Sequence, residues 1–220
     1  MTADLTHIDT WLFDLDNTLY SEESGFMRQV EGRMTDFVAK AAGLPHDEAY
    51  ALQKQYLAEH GLTLRGLMLN HGVDPADFHA LFHDLSLELL AQDPDLVSAL
   101  AHLPGRRFIF TNADDRHAQR VLAHLGLADL FDDVFHIHSF GFTPKPDPLG
   151  FQRMIDAHGL TPATTAFFED SERNLKPAFD LGMTTVLVGP RALASTAPFV
   201  NYRTTKLTPF LADARLKEAA

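Results

Sequence analysis

The 220-residue chain reads as an α/β protein: a doubly wound, mostly parallel sheet with an all-helical segment inserted after its first strand. Three observations predict this. Five short apolar runs have the length and composition of buried strands. The last four are separated by helical stretches that end in glycine. Between the first and second runs lie about 80 residues with no convincing strand, far more than an ordinary crossover needs. A chain this long, 45% hydrophobic with 13 Gly and 12 Pro, supports one compact core and one small insertion.

The elements follow in order. The first strand is Trp11–Phe13. In the insertion, Phe26, Val30, Met34, Phe37 and Ala41 repeat at three- and four-residue spacing and form one apolar stripe. Asp47 is placed to cap a helix running to Glu59, with Gly61 beyond it. Asp74-Pro75 and Asp93-Pro94 each read as an N-cap followed by proline at the first helical position. Linkers near Tyr20 and Leu100 set the expected domains, a catalytic core of residues 1–20 and 101–220 and a helical cap of residues 21–100. The core resumes with strands Arg107–Phe110, Val134–His138, Thr165–Phe168 and Thr184–Val188. Helices Arg116–Leu125, Leu149–His158 and Glu172–Leu181 lie between them, closed by Gly126, Gly159 and Gly182. Strand and helix alternating in this way imply right-handed crossovers.

Composition removes several function classes. With no cysteine, disulfides, thiolate catalysis and Cys-based metal sites are excluded. Eighteen basic residues against 30 acidic ones leave a net charge of −12, a field that repels nucleic acid. A small anionic substrate remains compatible, because a bound Mg²⁺ and one lysine reverse the potential locally. No apolar window approaches the length of a membrane span and no signal peptide is visible, so no membrane is expected as a partner and a cytoplasmic location is.

Ligands of an open α/β sheet bind beyond the carboxyl ends of its strands. Here the first strand ends at Asp14, the second at Thr111-Asn112 and the fourth at Glu169-Asp170, while Lys145 lies in the Pro-rich loop after the third. Of the 12 histidines, His79 and His83 are four apart on a predicted helix, and His136 and His138 share one side of a predicted strand. Neither pair has the third ligand or the HExxH pattern of a zinc site.

Asp14-Leu15-Asp16-Asn17-Thr18, then Thr111, Lys145 and Glu169-Asp170 resemble, in order and context, the four motifs of the haloacid dehalogenase (HAD) superfamily. The resemblance spans the whole core, and the helical insertion resembles that superfamily's cap. It implies a Mg²⁺-dependent phosphomonoester hydrolase. Asp14 resembles the nucleophile that forms an aspartyl-phosphate, and Asp16 the general acid and later base. Two such roles require an ionised Asp14 beside a protonated Asp16, hence different environments. They also require the chain to leave extended geometry at Leu15, since successive strand residues face opposite ways. The metal ligands implied are the Asp14 carboxylate, the Asp16 carbonyl and the Asp170 carboxylate, with Glu169 a further ligand or a group behind them. Thr111 and Lys145 are expected to hold the transferring phosphoryl group, Ser171 and Asn174 to orient the acidic pair, and Thr18 to brace the first motif.

In that superfamily the dehalogenases lack an acid at the position of Asp16, which disfavours dehalogenation. A helical cap implies a small phosphorylated metabolite. The DNTLY motif, Thr63–Pro75 and Phe78–Leu85 look like the pyrimidine 5′-nucleotidase branch and imply a nucleoside monophosphate. Asn112 and the cap residue Arg65 are then the candidate substrate contacts, with Tyr56 either a base-stacking or a core aromatic. The rival readings are a sugar-phosphate phosphatase, a phosphotransferase resembling β-phosphoglucomutase, and, more remotely, a non-enzymatic phosphoacceptor signalling domain.

Overall fold

The computed structural model of the protein describes residues 2–217. It divides into two compact units, Met1–Ser24 with Leu90–Ala220, and Gly25–Leu89. The break falls a few residues after Tyr20 and about ten before Leu100, so the insertion is shorter at its far end than residues 21–100.

In chain order the elements are β1 (Asp4–Leu5), β2 (Thr10–Phe13), α1 (Phe26–Ala42), α2 (His46–His60), α3 (Thr63–His71), α4 (Pro75–Ala80), α5 (Pro94–Ala101), β3 (Arg106–Phe110), α6 (Asp115–Leu125), β4 (Asp133–Phe135), α7 (Pro148–His158), β5 (Thr165–Glu169), α8 (Glu172–Asp180), β6 (Thr184–Val188), β7 (Tyr202–Thr204), α9 (Leu207–Asp213) and β8 (Arg215–Leu216). Six strands form one parallel sheet in the order β4-β3-β2-β5-β6-β7. All four β2 residues and all five of β5 are buried. Helices cover both faces, so these strands carry continuous rather than alternating apolar sequence. Phe13 stands opposite both Ile109 and Phe168, which sets the carboxyl ends of β2, β3 and β5 level. Strand order reverses at β2, the place where a doubly wound sheet opens a crevice.

Local chemistry explains the entries and exits. Asp93 caps α5 through Oδ1, accepting from the Asp95 and Leu96 N–H groups, and Pro94 follows at the position that needs no donor. Gly105 leads into β3 at φ 84°, where an added Cβ would lie 2.0 Å from the Asp9 carbonyl oxygen; no other residue fits.

The strands differ from the expected set at three places. The strand expected at Val134–His138 ends at Phe135. Ile137 N–H instead reaches Ala113 O at 3.0 Å, and His136 and His138 sit in a tight turn. β7 was not expected, because its Tyr-Arg-Thr sequence is a half-buried edge with no apolar run. The two-residue pair β1 and β8 is too short to show periodicity.

The second unit is all helical. Asp74 caps α4 as expected, donating no proton and accepting from Ala76 N–H at 2.8 Å. α2 begins one residue before Asp47, with Pro45 at the cap position, so Asp47 supplies first-turn charge instead. On α1, Phe26 and Val30 are buried, whereas Met34, Phe37 and Ala41 are half-buried and Thr35 and Val38 complete the inner face. Thr35 can be buried because its hydroxyl donates to Gln53 Oε1 on α2 at 2.6 Å. Tyr56 is a core residue, its hydroxyl 2.9 Å from His71 Nε2 and its ring against Gly66.

Candidate active site

β2 keeps its ladder through Asp14, whose N–H donates to Phe168 O at 2.9 Å. The chain then coils: Thr18 and Leu19 N–H groups both return to the Leu15 carbonyl, and Asn17 takes the left-handed region at φ 62°. This is the departure from extended geometry expected at Leu15. It gathers Asp14, Asp16 and Thr18 at one strand end, and the Thr18 hydroxyl donates to Asp14 Oδ2 at 3.3 Å.

Lys145 is the centre of the site's electrostatics. It is 1% exposed, and its Nζ donates to Asp14 Oδ1 at 2.7 Å, Glu169 Oε2 at 2.8 Å and the Phe110 carbonyl at 2.6 Å. Burial alone would lower its pKa, but the charges of Asp14 and Glu169 outweigh that and raise it. An ammonium with three anionic or carbonyl acceptors is the arrangement that makes a buried charge tolerable. Asn112 fixes the lysine's backbone: its Oδ1 accepts from Lys145 N–H at 2.9 Å and its Nδ2 donates to the Lys145 carbonyl at 3.2 Å. Asn112, expected as a substrate contact, uses both its amide oxygen and its amide nitrogen to position Lys145. Thr111 is 1% exposed, and its Oγ1 accepts from Ala113 N–H at 3.0 Å.

The acidic pair at the end of β5 divides. Glu169 is 1% exposed, with Oε2 on Lys145 and Oε1 accepting from Ser171 N–H at 3.1 Å. Ser171 therefore orients Glu169 through its backbone, and Glu169 braces Lys145. Asp170 is the more open of the two and receives Asn17 Nδ2 at 3.4 Å. Since Ser171 is the N-cap of α8, Asp170 is not consumed in capping. Asn174 is buried on the same helix, and its Oδ1 has no hydrogen-bond partner among the described residues.

Carboxylate oxygens of Asp14, Glu169 and Asp170 lie within 4.8 Å of one another. Burial and then the Glu169 charge push Asp14 up to about 7, against the pull of Lys145. The same two causes push Asp170 up to about 9. A hard dication between Asp14 and Asp170 would relieve this repulsion, and an all-oxygen donor set suits Mg²⁺, so the residues present fit that ion.

Asp16 differs from Asp14, but in the sense opposite to the one expected. Burial would raise its pKa, yet the charge of His117 and hydrogen bonds from His117 and Tyr20 hold it below the ordinary carboxylate value. His117 Nε2 is 3.0 Å from Asp16 Oδ1, and the Tyr20 hydroxyl donates to the same oxygen at 2.6 Å. Sequence reasoning missed both residues. Tyr20 lies four positions after Asp16, within reach once the chain coils. His117 follows the Asp114 N-cap of α6 by three residues, in the helical turn that leaves the Thr111 strand end. That placement was the available signal.

Beside Asp170 is a cavity of about 310 Å³ whose lining includes Asn17, Glu22, Glu172, Gly189 and Arg191. Arg191 Nη2 pairs with both Glu22 oxygens at 3.1 and 3.2 Å. Arg65 lies in the second unit on the exposed side of α3. Among the described residues no histidine cluster forms a metal site, and no helix is long and apolar enough to cross a membrane.

A family model described as haloacid dehalogenase-like hydrolase matches residues 8–182, four fifths of the chain. The chain belongs to this family. Its relatives include phosphate metabolism protein 8 of Saccharomyces cerevisiae, 32% identical over 189 residues, covering 79% of this chain. The match takes in only 59% of that longer yeast protein. The GMP/IMP nucleotidase YrfG of Escherichia coli is 25% identical over 182 residues, 80% of each chain. Among solved structures, a HAD phosphatase from Thermococcus onnurineus superposes with a TM-score of 0.64 at 21% identity, covering 98% of this chain and 100% of its own. That likeness bears out the family's mostly parallel α/β fold.

Proposed function

We propose that the protein is a Mg²⁺-dependent phosphomonoester hydrolase that works through an aspartyl-phosphate on Asp14. The observation that carries this reading is the Lys145 ammonium bridging Asp14 and Glu169, beside Asp170 and with Asp16 two residues from Asp14. Hydrolysis of phosphate monoesters is very slow without a catalyst, so positioning and charge neutralisation are what a protein must supply. Asp16, ionised before substrate binds, takes up a proton as the negatively charged phosphoryl group arrives beside it. An Asp14 oxygen then attacks phosphorus while the bond to the leaving oxygen breaks and Asp16 gives that oxygen the proton. In the second step the Asp16 carboxylate takes a proton from water as the water oxygen bonds to phosphorus, releasing phosphate and restoring Asp14. Lys145 keeps Asp14 oriented, and the Thr111 hydroxyl meets a phosphoryl oxygen. Asp14, the Asp16 carbonyl and Asp170 would hold Mg²⁺, which would supply charge neutralisation at the phosphoryl group.

The substrate in this reading is a small phosphorylated metabolite, a nucleoside 5′-monophosphate. The sequence of the helical unit suggests a pyrimidine base, while the E. coli relative is named for GMP and IMP, both purines. The test is phosphate release from a panel of purine and pyrimidine monophosphates, sugar phosphates and aryl phosphates, with Mg²⁺ or with EDTA. Release that needs Mg²⁺ and disappears in Asp14→Asn is expected. Turnover persisting in Asp14→Asn would sink the mechanism. Equal turnover of nucleotides and generic monoesters would remove only the substrate assignment, and a need for a bisphosphate activator would indicate a mutase.

A further inference from the structure

Asp16 meets two donors on one oxygen. Tyr20 Oη donates to Oδ1 at 2.6 Å, and His117 Nε2 lies 3.0 Å from the same Oδ1. All three side chains belong to the first unit. Tyr20 is 7% exposed and His117 5% exposed, so water does not readily replace either contact. A carboxylate oxygen offers two good acceptor directions, and here both are taken. No protein donor reaches Oδ2 among the described residues, and the Asp16 side chain keeps 19% of its surface open.

We infer that Tyr20 and His117 are positioning residues which saturate Oδ1 of Asp16, so that the proton moved in catalysis always travels on Oδ2. The inference rests on the phosphohydrolase reading above and adds which atom of Asp16 works and what holds it. In the first step the proton leaves Oδ2 for the leaving oxygen as the P–O bond breaks. In the second, Oδ2 takes a proton from the attacking water. With Oδ1 held by two groups, the carboxyl cannot rotate to offer its occupied oxygen, and the proton stays aligned with the bond being broken.

The two donors come from different parts of the chain. Tyr20 is presented by the coil after β2, and His117 by the first turn of α6, whose register is set by Asp114 Oδ1 accepting from His117 N–H at 3.1 Å. Losing one leaves the other, so each single substitution loosens the carboxyl without freeing it, while the double substitution frees it.

The test separates leaving groups. An alkoxide such as a nucleoside 5′-oxygen needs the Asp16 proton; a p-nitrophenolate does not. Tyr20→Phe and His117→Ala, alone and together, are compared with wild type in the presence of Mg²⁺. Single-turnover nucleoside release and the p-nitrophenol burst each isolate the first step. In the double variant, nucleoside release is expected to slow about 100-fold, the lower range for losing general acid catalysis, while the p-nitrophenol burst changes less than about threefold. Water attack on the common intermediate slows too, so the burst is followed by a slower steady rate. His117→Gln, which can still present an N–H near the Nε2 position, is expected to recover most of the nucleoside rate. Equal losses for both leaving groups, or no loss for either, overturn the inference while leaving the hydrolase reading standing. A wild-type protein that releases phosphate from no ester overturns the hydrolase reading itself. Thermal unfolding of each variant confirms that the comparison is made on folded protein.

Discussion

Asn112 and Lys145 hold each other by two hydrogen bonds, 2.9 Å from Lys145 N–H to Asn112 Oδ1 and 3.2 Å from Asn112 Nδ2 to the Lys145 carbonyl, across 33 residues of sequence. An amide used at both ends in this way acts as a backbone splint. Asn112→Ala leaves a part-buried N–H and C=O of the Lys145 residue unpaired, a cost of about 1–3 kcal/mol. The expected outcome in urea unfolding is a loss of that size. In kinetics, kcat on the favoured ester falls with KM little changed, because the loss acts through Lys145 in the transition state. A rise in KM at constant kcat would return Asn112 to the role of a direct substrate contact.

Lys145→Met keeps the length of the side chain and removes its charge. Asp14 and Glu169 then face each other without a cation, and breaking a buried pair by deleting one partner costs about 3–5 kcal/mol. Denaturation in EDTA at neutral pH measures this, and the variant is expected to be inactive. Addition of Mg²⁺ is expected to stabilise the variant more than wild type, since the ion replaces part of the missing charge. A variant as stable as wild type in EDTA would show that Lys145 does not compensate these carboxylates.

Gly66 sits on α3 with Tyr56 so close that an added Cβ would lie 2.2 Å from the ring Cγ. Helix propensity favours alanine there by about 1 kcal/mol. Overpacking costs about 1–3 kcal/mol, and here the neighbour is a ring base with no freedom to swing away, so the clash wins. Gly66→Ala is expected to lower the melting temperature, whereas Gly32→Ala, with nothing within 4 Å of the new Cβ, is expected to raise it. The reverse order would show that Tyr56 can move aside.

His158 packs on Phe108 and Phe135 at ring-centroid distances of 4.6 and 5.6 Å, with Asp133 Oδ2 3.5 Å from its Nε2. Burial, helped by Arg106, depresses its pKa against the opposing pull of Asp133. Because the folded pKa lies below the unfolded value of 6.5, its contribution is fully present above that pH. It is lost as pH falls from there through the folded pKa. His158→Phe retains a ring and removes the titration, so its urea midpoint is expected to fall less than that of wild type between neutral and mildly acidic pH. Parallel pH profiles for the two proteins would rule His158 out as a source of acid sensitivity.

Much of the core was legible from sequence because its signals are local. Each of Asp14, Thr111 and Glu169-Asp170 directly follows or ends an apolar run, and parallel pairing brings such ends level whatever the intervening chain does. β7 and the turn at His136–His138 were not legible. An edge strand has little apolar surface to bury, and the turn depends on a hydrogen bond from Ile137 to Ala113 that leaves no periodic trace. The Gly beside Arg65 is explained by the Tyr56 ring, a packing relationship, so it carries no information about Arg65.

The sequence by itself determined the family, the places of five core strands along the chain, the helical insertion and the carboxylates that stand at the strand ends. These follow from side-chain type and short-range spacing, which the backbone translates directly into position. Only the tertiary structure decided how those groups divide their work: Glu169 braces Lys145, Asn112 splints it, and Tyr20 and His117 hold Asp16. The reason is distance along the chain. Lys145 meets Asp14 across 131 residues and His117 meets Asp16 across 101, and which oxygen each one touches is set by the packed sheet and its crossovers.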